Sequence, residues 1–333
     1  MTVGITYDLV EEYRNLGYDE EQTAELDSVE TVHAIEEALR SLGFGTERIG
    51  GLMSLVRLIA RGRTWDMVFN IAEGIHGMGR ESAVPALLDA VRTPYTFSDP
   101  AVLALTLHKA TAKRVLRDCG VPTAPFEVAG EPADLEAVRL EFPLFLKPVA
   151  EGTGKGVSPA SLVTDRRSLV EHGTALLDRF GQPVLVERYL PGREFTVGLL
   201  GTGARAEVLP VMEVVFLEGA ESAGYTFHNK KHYHSTVEYR LAEGDRADAC
   251  RSVALRAWRC LGCRDGGRVD VRMDEHGEPN VMEINTLPGL HPVDSDLPIL
   301  CGLSGMGYRT LIGRIMASAL ERVPGRRPFR RTA

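Results

Sequence analysis

The first third of the chain alternates short apolar runs with stretches whose apolar positions recur every three to four residues. VGITYDL reads as a strand, SVETVHAIEEALRSLG as an amphipathic helix with Val29, Val32, Ile35 and Leu39 on one side, and WDMVFNI as a second strand. Asp27 or Ser28 can cap that helix and Gly43 can close it. Alternating β and α elements predict a doubly wound parallel sheet. ESAVPALLDAV then reads as a helix, RTPYTFSDP as a turn-rich connection, and LALTLHKATAKRVLRDCG as one helix ending at Gly120. The strand FPLFLKP, the glycine-rich AEGTGKGVS, a helix around SLVEHGTALLDRF and the strand VLVERYL follow. From about residue 183, FTVGLLG, AEVLPVMEVVF, GRVDVRM and PNVMEIN form a second sheet-bearing region, covered by helices RADACRSVALRAWRCLG and GYRTLIGRIMASALERV. The pattern predicts an α/β fold, grading to α+β in the C-terminal half. Its expected divisions are 1–96, 97–182, 183–325 and a basic tail at 326–333.

Composition narrows the classes. A chain of 333 residues can hold two or three domains. Its 38 Lys+Arg against 46 Asp+Glu give −8, which disfavours a nucleic-acid partner, and the one basic run, GRRPFRR, reads as a solvated tail. No stretch of about 18 apolar residues and no export signal are visible, so a cytoplasmic protein without a membrane partner is expected. Five cysteines in such a chain argue against a disulfide framework. Cys260-Leu-Gly-Cys263 follows a helical pattern and reads as a helix end with reduced thiols. His228, His232 and His234 in FHNKKHYHST read as a polar loop rather than a transition-metal site.

The candidate chemistry concentrates in GGRVDVRMDEHGEPNVMEINTLPG. RVDVRM and PNVMEIN alternate on either side of a turn at Glu275–Gly277, as in a β-hairpin with one buried face. Asp270, Glu283 and Asn285 can then supply hard oxygen ligands of the kind Mg²⁺ prefers, although acidic hairpins are also common solvated features. Arg268, two residues before Asp270, lies on the same face and can stabilise developing negative charge. Lys147 ends an apolar strand, and Glu151 leads into Gly152, Thr153, Gly154, Lys155 and Gly156. Glycines at this spacing let backbone N–H groups turn toward a polyphosphate, but an ordinary loop has the same look. Glu187, Arg188, Tyr189 and Leu190 end the next strand, where backbone groups can read an adenine edge and Glu194 can accept from ribose hydroxyls.

The order of these segments resembles the ATP-grasp superfamily and, within it, the D-alanine–D-alanine ligases. The resemblance runs from Trp65 to about Asp296. VFNIAEGIHGMGRES with LLDAVRTPYT looks like the junction of the N-terminal and central domains, and LHKATAKRVLRDCGVPTAPF like the next helix, with Lys109 at a phosphate-binding position. FPLFLKPVAEGTGKGVS matches the lysine strand and glycine loop, VLVERYLPGREFTV the adenine and ribose segment, and the hairpin the magnesium and arginine segment. The family implies an ATP-grasp fold behind an N-terminal doubly wound domain, with ATP and Mg²⁺ (Mn²⁺ as an alternative ion) in the cleft. It also implies amide formation through an acyl phosphate, with Lys231 on a closing loop. Glu25 is the nearest match to a glutamate that holds an ammonium, and Asp27 an alternative. Gly289, Ser295 and His232 fall on the substrate side. His232 stands where a tyrosine is frequent and Thr153 where a serine is expected. Counting on from Glu283, Asp294 occupies the place of a serine that holds a carboxylate, and its charge would repel one.

The expected activity is therefore ligation of two amino acids or amino-acid-like molecules with non-standard substrates. A genuine cell-wall D-Ala–D-Ala ligase and a non-catalytic ATP-binding module are the alternatives. A homodimer stays open.

Overall fold

The computed structural model describes residues 1–219 and 233–323. The N-terminal segment supplies β1 (Thr2–Thr6), α1 (Val10–Asn15), α2 (Val29–Ser41), β2 (Gly45–Arg48), α3 (Leu52–Ala60), β3 (Met67–Asn70) and α4 (Ala83–Ala90). The three strands form a parallel sheet in the order β2-β1-β3, as the alternating pattern predicts. Ser28 caps α2 by accepting from Thr31 N at 3.2 Å, and Gly43, at φ +88°, follows its end. Val32, Ile35 and Leu39 are buried against the sheet, whereas Val29, expected on the same face, is 42% exposed because it opens the helix outside the core.

The connection to the next region departs from the expected single helix. The chain forms α5 (Pro100–Leu107) and α6 (Lys109–Asp118), broken at His108. The His108 side chain caps α6 by accepting from Thr111 N at 3.3 Å, and Lys109 N donates to Val149 O at 2.8 Å. The break seats Lys109 at the start of α6, against the strand that carries Lys147.

Then come β4 (Phe126–Ala129), α7 (Pro132–Ala137), β5 (Leu144–Pro148), β6 (Leu162–Val163), α8 (Arg166–Phe180) and β7 (Val184–Arg188), in an antiparallel sheet of order β4-β7-β5-β6. β7 lies beyond the expected division at 183 yet pairs with β4 and β5, so the four-stranded sheet runs past it. The remaining elements are β8 (Glu194–Leu200), β9 (Glu207–Phe216), α9 (Tyr233–Thr236), β10 (Val237–Ala242), α10 (Asp245–Cys260), β11 (Gly266–Met273), β12 (Pro279–Asn285), α11 (Asp296–Leu303) and α12 (Tyr308–Glu321). Their strands form a five-stranded antiparallel sheet, β10-β9-β8-β11-β12.

Trp258 and the small face of α10 fill one side of that sheet. α12 does something periodicity could not show. Its Leu311, Ile312, Ile315 and Met316 share one core with Val3, Ile5 and Phe69 of the N-terminal sheet. Among the described residues, no helix is long and apolar enough to cross a membrane.

One expectation about the cysteines is overturned. Cys119, after α6, is disulfide-bonded to Cys260, the last residue of α10, so Cys260 is not a reduced helix-end thiol; Cys263 is free and buried. The two were not paired from sequence because 141 residues separate them and only the packing of α6 on α10 brings them together. Closing so long a loop restricts the unfolded chain, so Cys119→Ser should cost about 2–4 kcal/mol under oxidising conditions. Equal urea midpoints for the variant and the oxidised wild type would refute this. In excess dithiothreitol the two should coincide.

Candidate active site

Two adjoining cavities carry the polar side chains singled out by motif. The first lies between the two antiparallel sheets. Phe145, Lys147, Glu151, Gly154 and Lys155 line it from one side, Glu194, Asp270, Arg272 and Glu283 from the other, and Lys109 at its end. Lys147 and Lys113, both buried, clasp the Glu187 carboxylate at 2.7 and 2.9 Å. Burial works against the Glu187 charge, but the two lysines overcome it and hold its pKa down to about 2. Lys109 reaches Glu283 at 3.2 Å and the Glu151 carbonyl at 2.5 Å. A row of cations thus lines the cleft beside carboxylates, the charge arrangement a polyphosphate with a divalent cation requires.

The hairpin behaves as its alternation predicts. Asp270 pairs with Glu283 and Arg268 with Asn285 across β11 and β12, and Asp274 organises the turn by accepting from His276 N and Glu278 N. Asp270 accepts from Thr196 Oγ1 at 3.1 Å and is ion-paired with Arg268. The Asn285 amide donates to Asp270 at 3.1 Å and to Glu283 at 3.4 Å. Two carboxylates and an amide whose oxygen can be turned toward them make a hard-oxygen donor set that leaves room for phosphate oxygens, so the residues fit Mg²⁺. Arg268 also lies 3.5 Å from Asp296; against the penalty of burial, Asp270, Asp296 and Glu283 keep its guanidinium firmly protonated.

The glycine loop is shaped by close approach. A Cβ on Gly152 would come within 2.6 Å of Glu25 Oε1, while Thr153 and Gly154 take φ values of +53° and +72°. Gly154 faces the first cavity. Gly156 packs against Phe180 and Pro148, where a Cβ would sit 2.8 Å from both, and its φ of +74° calls for glycine as well.

The adenine and ribose segment is only partly as expected. Tyr189 stacks on Phe145, with the Arg272 guanidinium 4.9 Å from its ring centre, and Glu194 is buried in the cleft with Arg272 at 3.7 Å. The Arg188 side chain turns outward to Glu141 and Glu275, and its N–H donates to Pro125 O. It therefore contributes no side chain to the cleft. Leu190 is buried beyond the strand end.

The second cavity opens past Arg268 and Asn285. Gly152 and Thr153 border it, together with Glu25, Asp27, Glu73, Glu81, Gly289, Asp294, Ser295 and Asp296. Its cavity volume of about 460 Å³ falls within the ~300–1,000 Å³ usual for a small-ligand site. Glu25 is already engaged: Arg80 sits 2.6 Å and Lys155 3.2 Å away, and Gly152 N donates to it. Burial would raise its pKa, and the two cations more than reverse that. Ser295 Oγ accepts from His291 N at 2.9 Å, which folds the Gly289–Ser295 turn closed.

Asp294 is at the rim rather than in the depth. Its side chain is 50% exposed, accepts from Tyr233 OH at 2.8 Å and pairs with His291 at 3.1 Å. Asp296, not singled out from sequence, is the carboxylate that approaches Arg268. Lys231 and His232 lie outside the described residues. Lys113, Lys155, Arg80, Glu73, Glu81 and Arg272 were also missed. Lys113, four residues after Lys109 on one helix face, is the one that spacing could have revealed.

Comparison with known proteins agrees with this geometry. The family model for the D-ala D-ala ligase C-terminus matches residues 115–317. A D-alanine–D-alanine ligase of Bordetella avium is 35% identical over 293 residues, covering 86% of this chain and 87% of its own. Its counterpart from Alcanivorax borkumensis is 35% identical over 315 residues, 93% of each chain. Among solved structures, the D-alanine–D-alanine ligase of Bacillus anthracis complexed with ATP superposes with a TM-score of 0.73 at 21% identity, covering 96% of this chain and 98% of that one, a likeness of fold. With the α/β architecture and the ATP-grasp arrangement of its sheets, the chain belongs to the D-alanine–D-alanine ligase family, ADP-forming ligases that act with ATP.

Proposed function

We propose that the protein joins two amino acids or amino-acid-like molecules through an acyl phosphate, with a substrate pair other than two D-alanines. The observation that carries this is the junction of the two cavities. Arg268 stands where a cation-lined nucleotide cleft meets a chamber whose charged side chains are mainly acids.

ATP occupies the first cavity, its phosphates held by Lys109, Lys147 and the loop around Gly154. Asp270, Glu283 and Asn285 would hold Mg²⁺, which would supply charge neutralisation for the transferring phosphoryl group. Arg268 faces the reacting carboxylate and stabilises the tetrahedral oxyanion formed when the amine attacks. Such chemistry depends on positioning and charge rather than on a covalent nucleophile. ATP consumption suits the cytoplasm.

The Bordetella avium and Alcanivorax borkumensis relatives, both D-alanine–D-alanine ligases by name, favour a second reading in which this chain makes D-Ala–D-Ala. Asp294 decides less than its sequence position implies, because it is half exposed and held at the rim by the Tyr233 hydroxyl. A screened surface charge of this kind is worth about 1 kcal/mol or less. Asp294→Ser should accordingly change kcat/KM for D-alanine by no more than about fivefold. A screen of D- and L-amino-acid pairs for ADP release, with mass detection of product, separates the readings. D-Ala–D-Ala turnover matching the best other pair would establish the second.

A further inference from the structure

Most ionised groups around the second cavity are matched at close range. Glu25 faces Arg80 and Lys155, Asp296 faces Arg268, Asp294 accepts from Tyr233 OH, and Glu20 lies 4.0 Å from Arg14. Asp27, Glu73 and Glu81 differ. They arrive from three separate segments, before α2, after β3 and before α4, and all three border the same volume. Among the described residues, no hydrogen bond or ion pair reaches any of their carboxylates.

Burial pushes Glu73 well above the usual carboxylate range, aided by Glu81, Glu25 and Asp27. Burial likewise takes Asp27 up to about 8, with Asp8 adding to it, and Glu81 up to about 8 against the pull of Arg80. Like charges gathered in a partly desolvated pocket oppose one another until a cation arrives. Among the described residues, Arg80, whose charge acts on Glu73 and Glu81, is already bonded to Glu25 and to the Ala150 carbonyl at 2.8 Å.

We propose that one of the two substrates carries a cationic group besides its α-ammonium, an ammonium or guanidinium on its side chain, which Asp27, Glu73 and Glu81 receive. This rests on the reading of the second cavity as the amino-acid chamber. The carboxyl end of that substrate faces Arg268 and the glycine loop, and the N-terminal segments take its cationic end. It makes the three acids specificity-determining residues and places the preferred substrate among the basic amino acids.

The test is calorimetric titration of the full chain, loaded with Mg²⁺ and ADP. The ligands are D- and L-lysine and ornithine, arginine, and the uncharged norleucine, norvaline and citrulline. At least one basic member should bind about tenfold or more tightly than its uncharged counterpart. Glu73→Gln and Asp27→Asn should each reduce that ratio about tenfold. Since each substitution relieves repulsion, both variants should fold, and thermal melting checks that they do. Failure of every basic member to outbind its counterpart overturns the proposal, as does a ratio unmoved in both folded variants. ADP release with the same pairs tests the ligase reading separately. A basic preference in binding without ADP release from any pair strikes the ligase reading alone, while release from neutral pairs without a basic preference strikes the charge assignment alone.

Discussion

Glu283→Gln should lower ADP release by about 10²-fold or more while leaving the thermal midpoint near that of the wild type. The substitution preserves volume and removes one charge. Glu283 sits opposite Asp270 in the hairpin register and 3.2 Å from Lys109, so it belongs to both the divalent-ion donor set and the phosphate-facing cations. With a neutral amide there, Asp270 is the sole remaining carboxylate of the set, and it is shared with Arg268. The ion would be held less tightly and the transferring phosphoryl group less neutralised. Excess Mg²⁺ or Mn²⁺ should recover part of the rate if weakened binding dominates. A folded variant with wild-type turnover at limiting Mg²⁺ would remove Glu283 from the donor set.

The second large effect is on stability. Glu187→Gln should cost about 3–5 kcal/mol, read from urea unfolding, because it strands two buried lysines. Lys113 and Lys147 both lie within 2.9 Å of this carboxylate and are almost wholly buried. The pH dependence has a defined sign. The Glu187 carboxylate is depressed to about 2 in the folded protein, below the ~4.3 of a free glutamate, so its contribution is complete above that value and fades as pH falls toward 2. Wild type should therefore lose part of its advantage over the glutamine variant on going from pH 6 to pH 3. A loss under about 1 kcal/mol at pH 7 would show that the clasp contributes little.

How much of the site was legible follows from the distance over which its contacts act. Asp270, Glu283, Asn285 and Arg268 share one hairpin, and strand alternation with a short turn is enough to put them on one face. The glycine loop was legible for the same local reason. For Gly156, sequence shows only that it lacks a side chain, not that Phe180 and Pro148 occupy the space beside it. Sequence left open which way the Arg188 side chain turns, because a strand's last residue can face either side, and two surface glutamates take it outward. Glu73 and Glu81 carried no signal at all. They lie in a loop and a short turn, and their meaning arises only where those segments converge with Asp27.

By itself the sequence determined the alternating α/β start, the acidic hairpin, the lysine strand with its glycine loop, and through their order the family. These depend on spacing within one or two elements, where backbone geometry leaves few alternatives. Tertiary structure alone decided the rest: the break at His108 that seats Lys109, the clasp of Lys113 and Lys147 on Glu187, the Cys119–Cys260 bond, α12 in the N-terminal core, and Glu25 neutralised by Arg80 and Lys155. Each joins residues far apart along the chain. Which of many compatible charges or apolar faces meet is settled by packing, because burial makes an unmatched charge or an uncovered face too costly to keep.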